Sequence, residues 1–105
     1  MKAIITPHIL RSLHRSDLRK RILLYLYDIY PLATYLSEIA RVVGSDPSNV
    51  REALVELGNS YNGESSLVYL GLVEKIDNDR YRLTEYGKKV VEHLREYHKY
   101  YRKFM

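Results

Sequence analysis

Four histidines, thirteen carboxylates and no cysteine are the groups from which this 105-residue chain would have to build a catalytic or metal centre. Without cysteine there is no disulfide, thiolate metal site or cysteine nucleophile. The histidines are His8, His14, His93 and His98. None stands in a His-Glu-x-x-His spacing, and no glycine-rich phosphate loop occurs. Glu92, His93, Glu96 and His98 crowd the C-terminal stretch, but at about 3.6 residues per turn they do not share one helix face. A solvated surface is the ordinary explanation, so neither an enzyme nor a metal or cofactor site is expected.

A second set of polar groups is better placed for recognition than for catalysis. Val50, Ala53, Leu54 and Leu57 recur at i, i+3, i+4 and i+7, which predicts a helix over about 47–57 with that stripe facing a core. Ser48, Arg51, Glu52 and Val55 then face outward, with Asn49 and Glu56 at the flanks. Just upstream, Leu36, Ile39, Ala40 and Val43 repeat the same spacing and predict a partner helix. Gly44-Ser45-Asp46-Pro47 lies between the two. Gly44 can take the left-handed cap conformation, Asp46 can cap the next helix, and Pro47 suits its first turn. So short a turn forces a steep crossing, for which Ala40 is the small contact residue. The Ala-x3-Gly-x5-Val spacing resembles the helix-turn-helix signature of DNA-binding proteins, with a plain helical hairpin as the alternative.

The remaining elements must hold this pair. Thr6-Pro7 predicts a short helix through Ile9, Leu10 and Leu13. Ser16-Asp17 restarts the chain into a second helix with Leu18, Ile22, Tyr25, Leu26 and Ile29 inward, ended by Pro31. Arg15, Arg19 and Lys20 are expected to point outward, toward phosphates or simply toward solvent. Residues 58–63 collect turn formers, and Glu64 to Leu70 is expected to add one or two helical turns with Leu67 and Leu70 inward. Leu72 to Ile76 and Arg80 to Leu83 read as a two-stranded hairpin about Asp77-Asn78-Asp79, leaning on the helices through Val73, Ile76, Tyr81 and Leu83. Thr84 caps a long last helix, whose Val90, Leu94, Tyr97, Tyr101 and Phe104 are spaced like a heptad stripe. That stripe either packs on the chain's own first long helix or pairs with a second copy. A helix of roughly twenty residues spans about 30 Å, more than a domain of this size covers, so a homodimer through this helix is expected.

The chain is 46% apolar and long enough for one small core. The N-terminal MKAIITPHIL has no apolar run of signal length and no stretch approaches a membrane span, so a cytoplasmic location is expected. The net charge of +4 is unevenly laid out: residues 1–21 carry +5, residues 88–105 carry +4, and residues 22–87 carry −5. The basic charge therefore lies outside the helical pair.

The order helix, helix, helix-turn-helix, hairpin, long helix resembles the winged helix-turn-helix regulators of the ArsR and MarR kind, particularly small archaeal ones. The strings LHRSDLRKRILLYL (13–26), YLSEIARVVGSDPSNVREALVEL (35–57) and YLGLVEKIDNDRYRLTEYGKKV (69–90) carry the resemblance. It implies an α+β, mostly helical fold, with residues 1–86 as the winged helix-turn-helix domain and 87–105 as its dimerisation helix. It also implies sequence-selective binding of double-stranded DNA by a homodimer, the second helix of the pair entering the major groove. On that helix Arg51 then suits guanine, Asn49 adenine, Glu52 cytosine N4 and Val55 a thymine methyl, while Ser48 suits phosphate. Two departures stand out. About ten residues around 59–66 interrupt the family pattern, where Asn59, Ser60, Tyr61 and Asn62 are candidate phosphate contacts, with a solvated loop as the alternative. The hairpin tip carries Asp77 and Asp79, leaving Arg80, Arg82 and Lys75 to compensate. The acidic middle segment supports an alternative, a winged-helix module that binds protein in transcription or replication machinery. No effector is identified.

Overall fold

The structure, a computed structural model, describes residues 5–55 and 66–102, with side chains followed as far as residue 96. Among the described residues it is an α+β fold of five helices and one antiparallel sheet. The order is α1 (Pro7–Arg15), α2 (Asp17–Ile29), β1 (Thr34–Tyr35), α3 (Leu36–Val43), α4 (Pro47–Leu54), β2 (Val73–Lys75), β3 (Arg80–Leu83) and α5 (Glu85–Arg102).

Local chemistry sets most boundaries. The hydroxyls of Thr6 and Ser16 accept from the amides of Ile9 (3.2 Å) and Arg19 (3.1 Å), starting α1 and α2. Thr84 Oγ1 accepts from Gly87 N at 2.9 Å and so starts α5. Gly44 ends α3 at φ 68°, ψ 45°, where a side chain would be strained. Asp46 occupies the position before α4, but its carboxylate makes no capping bond, contrary to expectation.

The core gathers the apolar faces of all five helices. Ile22, Leu26, Ile39, Val50, Leu54 and Val90 are among its fully buried members. Ile76, expected to lean on the helices, is instead exposed, as is Leu10 of α1. Leu67 is buried, but residues 67–71 form a turn rather than the expected helical turns, and Leu70 is only half-buried.

The sheet has one strand more than the hairpin expected. β1 pairs with β3 (Thr34 opposite Tyr81) and β3 with β2 (Tyr81 opposite Lys75), giving the order β1-β3-β2. A two-residue strand has no periodicity to detect, which is why the sequence hides it. It matters for position: the amide of Leu36, at the start of α3, donates to the Asp79 carbonyl at 2.9 Å. The hairpin tip is thereby tied to the α3–α4 pair.

Tyr81 is fully buried with its hydroxyl lacking a partner among the described residues, and burial pushes its pKa above 10.0. An unpartnered buried hydroxyl is destabilising. Tyr81→Phe should therefore raise the unfolding free energy, by about 1 kcal/mol, in chemical denaturation. A loss of stability would show that the hydroxyl is satisfied.

Candidate nucleic-acid interface

α4 is amphipathic in the way its sequence requires. Val50, Ala53 and Leu54 are buried while Ser48, Asn49 and Glu52 are exposed. Arg51 is half-buried and leans toward the hairpin, its Nη2 3.9 Å from Asp79 Oδ1. Ser48, Arg51 and Glu52, expected on the outer face, and Asn49, expected at its flank, thus lie on one helix, flanked on one side by the hairpin tip.

That helix is shorter than expected. It ends at Leu54 because the carbonyls of Ala53 and Leu54 accept from the amides of Leu67 (3.0 Å) and Val68 (2.9 Å), which return from far along the chain. The backbone turns extended at Val55 (φ −131°, ψ 152°). Val55 is half-buried against the core and so is not on the outer helical face where its spacing places it. Glu56, Leu57, Asn59, Ser60, Tyr61 and Asn62 lie outside the described residues.

The hairpin arginines are both engaged. Asp77 Oδ1 accepts from the amides of Asp79 and Arg80, each at 3.1 Å, and Asp77 Oδ2 takes Arg80 Nε at 2.7 Å. These bonds, the Asp79 amide first, hold the Asp77 carboxyl below its ordinary value of 3.8. Arg82 Nε donates to Glu74 Oε1 at 2.7 Å, and the two residues are cross-strand partners in the sheet. Arg51, Arg80 and Arg82 therefore each face a carboxylate. With their side chains 39–42% exposed, such pairs are worth at most about 1 kcal/mol and are readily exchanged for a phosphate.

On the other flank Ser16, Arg19, Asn49, Glu52 and Ala53 line a recess of about 140 Å³. Arg19 does not reach outward as expected. Its Nη1 donates to the Ser12 carbonyl at 2.9 Å and lies 3.3 Å from Ser12 Oγ. Its Nε is buried without a partner among the described residues. Burial lowers the pKa of this guanidinium, with Glu52 opposing. Neither this recess nor the Arg51–Asp79 approach has a local sequence signal, since both join residues far apart in the chain.

The stripe expected to face a second copy divides. Val90 is fully buried in the chain's own core and so is not available to a partner. Leu94 is half-buried against the same core. The side chains of Tyr97 and Tyr101, and all of Phe104, lie outside what is described. Among the described residues no group of three or more His, Asp or Glu could hold a metal ion, and no helix is long and apolar enough to cross a membrane.

An uncharacterized protein of Methanocaldococcus jannaschii is 53% identical over 97 residues, covering 90% of this chain and 87% of that protein. No solved structure matches the chain. The sequence profile of the EarA-like family matches residues 9–94, which span α4, the sheet and most of the described core, and the chain belongs to that family.

Proposed function

We propose that the chain is a homodimeric transcription regulator that binds double-stranded DNA sequence-selectively, as a winged helix-turn-helix in which α4 enters the major groove and the β2–β3 hairpin lies along the neighbouring backbone. The observation that carries this reading is the outer face of α4. Ser48, Asn49 and Glu52 stand exposed on a helix whose opposite face is wholly buried, with Arg51 beside them. Asn49 is suited to adenine, Arg51 to guanine, Glu52 to cytosine N4 and Ser48 to a phosphate. Arg80 and Arg82 reach the backbone by exchanging Asp77 and Glu74 for phosphate oxygens. The dimer contact falls to the part of α5 beyond Arg95, since an 18-residue helix runs about 27 Å and its buried positions Val90 and Val91 lie in its first half.

Backbone amide shifts on adding a duplex, selected from random sequence by the protein itself, test this directly. The largest changes are expected at residues 48–52 and 79–82. Changes confined to other elements, or selection of no duplex, would favour the protein-binding module that the −5 charge of residues 22–87 supports.

A further inference from the structure

α1, α2 and α5 enclose a groove of about 320 Å³, and no residue lining it belongs to α4 or the hairpin. Leu13, Leu23 and Val91 form its floor, each 4% exposed or less. Leu10 and Leu24 form its walls and are 36% and 43% exposed, large aliphatic side chains left open to solvent. The rim is basic: His14, Lys20 and Arg95 line it, and no carboxylate does among the described residues. Arg95 stacks with its guanidinium 4.8 Å from the centroid of the Tyr27 ring, a face contact that fixes the group without using its N–H donors. The volume lies within the range of small-molecule pockets, which pair an apolar body with a few placed polar groups.

We propose that this groove binds a small amphipathic organic anion, its aliphatic chain between Leu10 and Leu24 and its carboxylate at Lys20 and Arg95. The charge of the rim decides between this occupant and a second copy of the chain. A two-fold contact of groove on groove sets a patch against itself, so the cations of one rim meet only the cations of the other in a desolvated interface. An anion meets the same cations with the favourable sign and gains charge-assisted hydrogen bonds. The site stands independently of DNA binding, because it shares no residue with the α4 face.

Decanoate is the probe, titrated calorimetrically into the full chain, with amide shifts to locate it. One saturable site is expected, with shifts at α1, α2 and α5. Affinity should fall about fourfold for each methylene removed from the chain. Decanol, which lacks the charge, should bind about tenfold more weakly. The double variant Lys20→Gln, Arg95→Gln should lose about tenfold for decanoate and nothing for decanol; Lys20→Gln alone, at an exposed position, serves if the double variant misfolds. No saturable binding, equal affinity for decanoate and decanol, or unchanged decanoate affinity in the variants would overturn the proposal. So would conversion of a wild-type dimer to a monomer by Leu24→Arg in sedimentation, since the groove would then be a subunit contact.

Discussion

Gly87→Ala should destabilise the chain by about 3 kcal/mol, although the same change in an ordinary helix interior would stabilise it by roughly 1 kcal/mol. Gly87 is buried where α5 crosses the sheet, and a β-carbon there would overlap the Leu72 carbonyl oxygen and lie 2.8 Å from Leu83 Cδ1. The carbonyl has little room to retreat. It accepts from Thr84 N at 3.0 Å with Thr84 Oγ1 3.1 Å away, and the same hydroxyl holds Gly87 N. Relief requires α5 to lift from the sheet, drawing Val90 and Val91 out of the core. The melting temperature should drop by roughly 10–20 °C. A fall of only a degree or two would mean that α5 slides freely at this crossing.

The second large effect concerns the arginine at the centre of the proposed interface. Arg51→Ala should weaken binding to a selected duplex by about 1–3 kcal/mol and relax preference at a single base pair. Asp79→Asn should do the reverse. The Asp79 carboxylate lies 3.9 Å from the Arg51 guanidinium and presents a negative charge beside the expected path of the phosphates. Its removal should tighten binding to selected and unrelated duplexes alike, by about fivefold at low salt. Fluorescence anisotropy with both duplexes separates the variants. If Arg51→Ala weakened both duplexes equally, Arg51 would be a phosphate contact rather than a base reader.

Much of the fold is legible in the sequence because its signals are local. Thr6, Ser16 and Thr84 each cap the helix they introduce, Gly44 takes the left-handed turn, and the apolar stripe of α4 is buried as its spacing requires. What escaped was decided at long range. α4 stops at Leu54 because residues 67 and 68 bond its last carbonyls. The helical spacing, continuing to Leu57, carries no trace of that, and it puts Val55 on an outer face that the helix does not reach. Val90 shows the limit of periodicity from the other side. A stripe that packs on the chain's own core has the same spacing as one that packs on a partner, and only the tertiary arrangement assigns Val90 to the core. The pairing of every proposed DNA-contacting arginine with a carboxylate was hidden likewise, except at the hairpin tip, where Asp77 and Arg80 are neighbours in sequence.

If α4 and the hairpin present a phosphate- and base-contacting surface, duplex affinity measured across a salt series must show it. Tight binding to the selected duplex is expected at low salt, with log K falling linearly against log salt at a slope of about −0.9 per phosphate contacted. Affinity independent of salt, or absent at the lowest salt, would contradict it.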